Sequence, residues 1–249
     1  MITNAQSGTN VHEIAAGIYR INTPVQIPGG DFNFNQYLIA DDAPLVFHTG
    51  ARGLFPLVSE AISKVLPLSS LRYVAFSHFE ADECGALNEF LAAAPNAVPV
   101  ASQIGAMVSV NAFADRPAKA MADGEVLDIG AKRLRWLDAP HVPHGWDNGF
   151  MMELVTRTML SGDLFTQGGR GEVALTESDI LGPSEEFRAP MDYYAHAPHT
   201  SAVLERLARE KPLTLASMHG SAYRGDGAAL IRALAKSLEI KAMALPLAA

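Results

Sequence analysis

Hydrophobic residues in the first third of the chain form short runs that are separated by turns and by a segment with helical spacing. Val11 to Ile21 and Asn35 to Asp41 are typical of strands, with the turn sequence Pro-Gly-Gly-Asp between them. Two further strands are predicted at Pro44 to Gly50 and Leu71 to Phe76. Between these two, Leu54 to Val65 has the apolar spacing of a helix.

The middle of the chain continues this mixture of helices and strands. A helix is predicted from Glu83 to Ala93, a strand from Ala97 to Ser102 and a possible helix from Gln103 to Phe113. A run of β-strands then extends to about residue 165. The stretch from Gly168 to Pro190 is rich in glycine, proline and charge, which predicts a loop.

Two helices, at about Ala197 to Arg209 and Gly227 to Leu238, are predicted at the C-terminal end. The strand Leu213 to Gly220 lies between them. We found no internal repeat and no low-complexity linker, so we expect residues 1–249 to form a single domain. Strands mixed with helices in both halves predict a layered α/β (α+β) sandwich, with helices outside two sheets.

Composition narrows the possible partners and the location. Apolar residues make up 49% of the chain and charged residues 18%, as in a globular protein, and the net charge is −8. This charge argues against nucleic acid or an anionic membrane as the main partner. The single cysteine, Cys84, suggests a reducing compartment. Since there is no signal-peptide pattern and no long apolar run, we expect a soluble cytoplasmic protein that does not enter a membrane.

A cluster of potential metal ligands follows the strand Leu71 to Phe76. His78, Glu80 and Asp82 alternate along the chain, so in an extended backbone they project to one side. Buried carboxylates need a compensating charge, and a metal ion is the simplest candidate. Glu83 has a competing interpretation as an acid in the first turn of a helix, where the helix dipole favours it. Cys84 is interpreted as a small packing residue.

Other strand ends in the second half of the chain carry similar residues. His141 and His144 follow one strand, Asp163 ends another, and His219 ends a third. Each of these ends is weak evidence alone, because a single histidine is more often a structural hydrogen-bonding residue than a ligand. Their repetition at several strand ends favours a shared metal site.

At this level of detail the sequence resembles the metallo-β-lactamase superfamily, and most closely the diiron domain of flavodiiron proteins. The resemblance covers nearly the whole chain and implies an αββα sandwich with a binuclear metal site at one edge of the sheets. Glu80 favours the flavodiiron branch, because hydrolases of this superfamily usually carry histidine there. The matching features are His78-x-Glu80-x-Asp82, His144 with Asp147, Ser161-Gly162-Asp163, His219-Gly220, the strand Phe34 to Ile39 and the segment Asp192 to Ala208.

The resemblance also implies a ligand set. One metal would be held by His78, Glu80 and His144, and the other by Asp82, the residue at position 83 and His219, with Asp163 bridging the two. Position 83 departs from the family, which usually has histidine where this chain has Glu83. If Glu83 does bind, the oxygen-rich set suits two iron ions, or manganese, better than zinc. If it does not, one position stays open or His141 fills it.

The resemblance gives further residues an expected role. Asp82 and Tyr194 are the expected catalytic residues, with a tyrosine of the segment around Tyr193 and Tyr194 donating a hydrogen bond to a bound oxygen species. His48 stands where the superfamily often has an acid, and we interpret it as a structural residue or one that supports a ligand.

Several functions are compatible with the predicted metal site. The first is binding or reduction of O2 or NO, which needs a separate electron-donor protein, because the sequence shows no flavodoxin-like domain and we expect no bound FMN. Without a donor the site would be a non-catalytic O2 sensor. The alternative is metal-dependent hydrolysis of a phosphodiester, thioester or lactone. A degenerate site with only a structural role is a further possibility. The family also suggests a homodimer.

Overall fold

The computed structural model describes residues 1–244, with side chains described through residue 239. Two β-sheets pack face to face and helices cover their outer surfaces, so the prediction of an αββα sandwich is confirmed. One buried apolar cluster fills the space between the sheets, around Trp136, Phe47 and Tyr37. A second cluster lies under the helices of the first sheet and a third under those of the second.

The first sheet has eight strands in chain order. The N-terminal strands are antiparallel, and the last four run parallel to one another. The strands are β1 (Ile2–Asn4), β2 (Thr9–Ala15), β3 (Ile18–Ile27), β4 (Gly30–Ile39), β5 (Leu45–Phe47), β6 (Tyr73–Ala75), β7 (Val98–Ser102) and β8 (Lys119–Met121).

The second sheet has seven strands, ordered β13-β15-β14-β12-β11-β10-β9. β12 and β14 are parallel neighbours, with Leu160 opposite Ala216. The strands are β9 (Val126–Asp128), β10 (Arg133–Asp138), β11 (Gly149–Glu153), β12 (Thr158–Gly162), β13 (Leu175–Thr176), β14 (Thr214–Ser217) and β15 (Ala222–Arg224).

The helices vary from single turns to a long C-terminal helix. The α-helices are α1 (Phe55–Ser63), α2 (Ala81–Cys84), α3 (Leu87–Ala93), α4 (Gln103–Gly105), α5 (Asn111–Phe113), α6 (Leu181–Arg188), α7 (Thr200–Arg209) and α8 (Gly227–Ala244). Two 3-10 turns (Arg52–Leu54 and Leu68–Ser70) and one π-helical turn (Ala106–Val110) complete the set. No helix within residues 1–244 is both long enough and apolar enough to span a membrane.

The structure corrects several predicted boundaries. The strand predicted from Val11 to Ile21 is two strands, because the chain turns at Gly17, where φ is +69°. The helix predicted from Glu83 to Ala93 is two short helices, α2 and α3. The predicted loop from Gly168 to Pro190 contains the helix α6. In α6, Phe187 stacks on Phe32 and Arg188 is buried, and the polar composition of the segment does not indicate either contact.

The topology determines where the site lies. The segments that follow β6, β12 and β14, and the loop between β10 and β11, meet at one edge of the sandwich. Parallel neighbours end at the same edge of a sheet, so the residues after β12 and β14 are brought together although they are distant in sequence.

Candidate metal centre

The loop after β6 supplies four of the polar side chains at this edge. The backbone remains extended as far as Glu80, with φ −140° and ψ 160°, and then enters α2. His78 and Glu80 therefore project together, as the alternation predicted, and the two Nε2–Oε2 distances from His78 and His144 to Glu80 are 2.9 and 3.0 Å. Asp82 lies in the first turn of α2 and faces His219 instead, with 3.5 Å between Nε2 and Oδ2.

Seven side chains form two adjoining groups. Within each group, one ligand atom from every residue lies within 4.8 Å of the others. The first group is His78, Glu80, His144 and Asp163, and the second is Asp82, Glu83 and His219.

Asp163 lies between the two groups. Its Oδ2 is 3.4 Å from His144 Nε2 and 3.7 Å from His78 Nε2 in the first group. Its Oδ1 is 3.4 Å from His219 Nε2 in the second group. One carboxylate therefore presents one oxygen to each group, which is the arrangement that a bridging ligand needs.

Glu83 is the carboxylate that the protein itself does not satisfy. Its side chain is 1% exposed, and neither oxygen has a hydrogen-bond partner among the described residues. His78 Nε2 is 4.0 Å from Glu83 Oε2. Burial, together with the charges of Asp163 and Asp82, raises the pKa of Glu83 well above its usual range. Without a metal, these carboxylates favour the protonated form of Glu83, whereas an ionised Glu83 needs a cation beside it, which a metal of the second group would supply.

The pKa values of other ionisable groups in the site depend on their neighbours. Hydrogen bonds to His144 and His78 lower the pKa of Glu80 to about 2. Burial alone would raise the pKa of Asp163, but His219, His78 and His144 outweigh it and lower that pKa. Burial alone would lower the pKa of His219, but the carboxylates of Asp163 and Asp82 raise it. At Glu83, in contrast, the neighbouring carboxylates oppose ionisation.

Hydrogen bonds outside the site orient two of the imidazoles. The Nδ1–H group of His219 donates a hydrogen bond to the backbone oxygen of Asn33 at 2.8 Å. Nε2 is therefore the ring atom that faces the oxygens of Asp82 and Asp163 and would bind a metal. Without a metal, these carboxylates favour a proton on Nε2, which is why they raise the pKa of His219. Histidine metal ligands are typically oriented by such a hydrogen bond from the other ring nitrogen.

His78 is held by a relay that begins at His48. His78 Nδ1 is 3.0 Å from Ser77 Oγ, which is 3.0 Å from His48 Nε2. His48 is completely buried, and burial lowers its pKa to about 3, so its imidazole is neutral at pH 7. A neutral His48 can accept the Ser77 hydroxyl proton, which leaves Ser77 Oγ to accept the Nδ1 proton of His78. The relay leaves Nε2 of His78 as the ring atom that faces the site, where it contacts Glu80 and would bind a metal.

The charges of the seven residues fit two divalent cations. When ionised, Glu80, Asp82, Glu83 and Asp163 carry four negative charges, and three neutral imidazoles add none. Two divalent ions would balance that charge. The donor set and the unpartnered oxygens of Glu83 therefore fit a binuclear metal centre.

A small cavity of about 170 Å³ opens onto both groups. Apart from ligands, it is lined by Phe32, Thr166, Phe187, Met191 and Tyr193. The rings of Phe32 and Phe187 stack with 5.4 Å between centroids. Sequence reasoning missed all of these residues except Tyr193. Phe32 lies just before the strand that carried the family resemblance, and the others lie in or beside the segment predicted as a loop.

The remaining predicted residues lie apart from both groups. Tyr194 is 5% exposed in the core under α7 and α8, with Arg188 5.4 Å from its ring, and it does not line the cavity. Tyr193 does line it, and its hydroxyl donates to the backbone oxygen of Asp163. His141 is exposed and lies outside both groups. Cys84 is buried, with its thiol 3.2 Å from the Glu80 backbone oxygen.

The sandwich and the position of the two ligand groups at its edge are those of a metallo-β-lactamase-like domain. A model of the "ODP family beta lactamase" matches residues 32–220, and the chain belongs to this family. The predicted resemblance to the diiron domain of flavodiiron proteins is thereby confirmed.

Curated relatives point in the same direction. The chain is 26% identical over 211 residues to the anaerobic nitric oxide reductase flavorubredoxin of Pectobacterium atrosepticum, covering 80% of this chain and 40% of the relative. It is 27% identical over 205 residues to the rubredoxin-oxygen oxidoreductase of Megalodesulfovibrio gigas, covering 77% and 49%. The chain thus spans less than half the length of either relative.

Solved structures support the fold. The rubredoxin oxygen:oxidoreductase from Desulfovibrio gigas superposes with a TM-score of 0.81 at 20% identity, covering 92% of this chain and 62% of the other. The metal-soaked Flv1 flavodiiron core from Synechocystis sp. PCC6803 gives a TM-score of 0.80 at 21% identity, covering 93% and 61%.

Proposed function

We propose that this protein is a binuclear, iron-containing metalloprotein that binds O2 or NO and reduces it when a donor supplies electrons. One observation carries the proposal: Asp163 lies between two groups of potential metal ligands beneath a small, aromatic-walled cavity. The names of the relatives, a nitric oxide reductase and an oxygen oxidoreductase, support the choice of gas.

The seven residues would form the ligand sets of two metal ions. His78, Glu80 and His144 would hold one ion, Asp82, Glu83 and His219 the other, and Asp163 would bridge. Ferrous ions at these positions would supply electrons to a bound diatomic gas. The family resemblance and the oxygen-rich donor set favour iron over zinc.

The cavity favours a very small substrate. Sites for drug-sized ligands are usually about 300–1,000 Å³, whereas this cavity is about 170 Å³. Phe32, Phe187 and Met191 give it an apolar wall, which limits the water that reaches the metals. Dehydration costs a diatomic gas little free energy when it enters such a space, whereas it would cost a charged phosphodiester much more.

Tyr193 is the candidate proton-bearing group at the cavity wall. Burial raises the pKa of its hydroxyl, so the proton stays in place at neutral pH. The hydroxyl now donates to the Asp163 backbone oxygen, and rotation would direct it to a bound gas. We therefore assign to Tyr193 the role expected of Tyr194, and we retain Asp82, which lines the same cavity, as the second catalytic candidate.

Electrons would reach the centre from outside residues 1–249. The words flavorubredoxin and rubredoxin in the relatives' names suggest a small redox protein as the donor. Without a donor, the same site would bind O2 reversibly, as a sensor.

The proposal is tested by metal analysis and gas consumption. Protein purified without oxygen should contain about two irons per chain, one for each ligand group. It should also consume O2 or NO when a reduced rubredoxin is supplied. The matched control is Tyr194→Phe, which should consume gas at the normal rate, whereas Tyr193→Phe should be slower. Two tightly bound zincs and no response to either gas would contradict the proposal.

Hydrolysis remains the second candidate because of a larger groove. A space of about 490 Å³ lies on the other side of Glu80, lined in part by Phe79 and Phe113, and would admit a larger ester. A panel of phosphodiesters, thioesters and lactones offered to the metal-loaded protein tests this function. Turnover of any of them, lost in Asp82→Asn, would favour it over gas reduction.

A further inference from the structure

The two metal positions offer different donors. The first, which we call the imidazole-rich position, has two imidazoles and the carboxylate of Glu80. The second, the carboxylate-rich position, has one imidazole, from His219, and the carboxylates of Asp82 and Glu83. Asp163 gives one oxygen to each, so it does not remove the difference.

The difference depends on Glu83, so its alternative structural role must be weighed. An acid that only stabilises a helix N-terminus is normally solvated or accepts hydrogen bonds from backbone N–H groups. Glu83 does neither, because it is 1% exposed and both oxygens lack hydrogen-bond partners among the described residues. Its helix, α2, has only four residues, so its dipole is small. The orientation of Glu83 is therefore explained by a ligand role.

The donor types favour different cations. Carboxylate oxygens are hard ligands that suit Mn²⁺, whereas imidazole nitrogen suits Fe, Zn and Cu. The carboxylate-rich position also has two full negative charges of its own, against one at the imidazole-rich position. The additional charge strengthens the attraction for any divalent ion but does not favour Zn²⁺ in particular.

We propose that the two positions select different metals, the carboxylate-rich position preferring manganese and the imidazole-rich position iron or zinc. This inference rests on the proposed binuclear centre. It predicts a mixed-metal centre whenever manganese is available, with the manganese next to Asp82 and Glu83. The iron or zinc ion of this mixed centre would then lie next to His78 and His144.

Anomalous scattering can read the two positions separately in one crystal. Metal-free protein would be exposed, without oxygen, to equal concentrations of Mn²⁺, Fe²⁺ and Zn²⁺, and data would be collected at the three absorption edges. We expect the Mn:Zn ratio to be several-fold higher at the carboxylate-rich position. Because both positions belong to the same molecule, the comparison of their metals does not depend on whether a variant folds.

A matched substitution tests whether Glu83 is the cause. In Glu83→His, the carboxylate-rich position should lose its preference and its Mn:Zn ratio should fall toward that of the imidazole-rich position. Glu13→His, at an exposed residue of β2, is the control and should change neither ratio. An equal Mn:Zn ratio at both positions of the unsubstituted protein would overturn this inference and leave the binuclear centre intact. No metal at either position would instead remove the proposed function.

Discussion

Two polar regions adjoin, one at the edge of the sandwich and the other between the sheets, and they differ in how their groups are satisfied. In the metal centre, carboxylates lie close together: Asp82 and Asp163 both face His219 Nε2, and the oxygens of Glu83 have no hydrogen-bond partner among the described residues. In the neighbouring region, side chains of β4 donate to backbone oxygens of the other sheet. Asn35 donates to Ser217 and Gly220, at 2.9 and 2.8 Å.

This second region, which we call the inter-sheet network, includes other donors to the same segment. Tyr37 donates to the Ser217 oxygen at 2.7 Å, and Arg20 donates to the Gly220 oxygen at 2.8 Å. The network thus fixes the backbone on both sides of His219. Buried polar side chains with matched partners, such as Asn35 and Tyr37, indicate a structural role, whereas buried carboxylates without donors indicate a site for a cation.

The largest expected effect comes from Asp163, which joins the two ligand groups. Asp163→Asn keeps the shape of the side chain but cannot bridge two cations as a carboxylate does. We expect loss of most of both metals, measured by elemental analysis, and loss of gas consumption. Asp115→Asn, at an exposed acid outside both ligand groups, should retain both metals.

The fold of the same variant should survive, which separates a ligand role from a structural one. Asp163→Asn removes one of the charges that oppose ionisation of Glu83, but it also removes the interactions with His219, His78 and His144 that lower the pKa of Asp163. Because these two effects on the metal-free protein have opposite signs, we expect metal-free Asp163→Asn to unfold in urea close to the concentration that unfolds the metal-free parent. A strong loss of metal-free stability would show that Asp163 belongs with the structural residues.

The inter-sheet network should respond in the opposite way. Asn35→Ala removes three buried hydrogen bonds and leaves a cavity, and should lower the free energy of unfolding of the metal-free protein by about 2–4 kcal/mol. Urea denaturation measures this change. Asn96→Ala, at an exposed position, should change the free energy by less than about 0.5 kcal/mol. Equal effects of the two substitutions would contradict the structural role of the network.

His48 connects the two kinds of region, since it is a structural residue whose relay ends on a metal ligand. His48→Phe should weaken the metal at the imidazole-rich position by about 10–100-fold, the usual cost of losing such support. His48→Gln keeps an acceptor for the Ser77 hydroxyl and should recover part of this affinity. Metal titration followed by spectroscopy provides the affinities.

The carboxylate-rich position provides the internal control for His48. Its metal should bind with unchanged affinity in both variants, because His219 is held by Asn33 and not by the relay. His141→Ala should change neither position. Equal losses at both positions in His48→Phe would mean that the substitution disturbs the fold rather than the relay.

The sequence predicted which polar side chains the fold brings together, because their positions obey local rules. His78 and Glu80 lie together because the backbone is extended between them, as alternation requires. Asp163 and His219 were found as polar ends of apolar strands, and the parallel pairing of β12 and β14 brings these ends together. The extended geometry ends at Glu80, however, so alternation gave no reason for Asp82 to face His219 rather than His78.

The cavity wall was not predictable in the same way. Phe187 and Met191 lie in or after α6, in a stretch whose glycines, prolines and charges predicted a loop. Their burial depends on tertiary contacts such as the stacking of Phe32 on Phe187, which has no local signature. Whether Tyr193 or Tyr194 faces the cavity likewise depends on the direction of the backbone at these two residues. The sequence does not show this direction, so it does not distinguish two adjacent tyrosines.

The smallest expected effect concerns a carboxylate that is the counterpart of Glu83. Asp41 accepts from the backbone N–H groups of Asp42, Ala131 and Lys132, at 2.9, 3.1 and 2.6 Å, and so links the β4–β5 turn to the β9–β10 turn. Burial would raise the pKa of Asp41, but these N–H groups outweigh it and lower the pKa, opposite to the direction at Glu83.

The pH dependence of stability follows from that direction. A lowered pKa in the folded state means that the Asp41 contribution is fully present above the unfolded-state pKa of about 3.9 and is lost as the pH falls through the folded-state value. Asp41→Asn should therefore cost less than about 1 kcal/mol at pH 7, since the group is largely solvent-screened. Urea denaturation of both proteins between pH 7 and pH 3 should show this difference shrinking at the acid end. A difference that grows toward low pH would mean that the carboxylate of Asp41, like that of Glu83, lacks adequate donors.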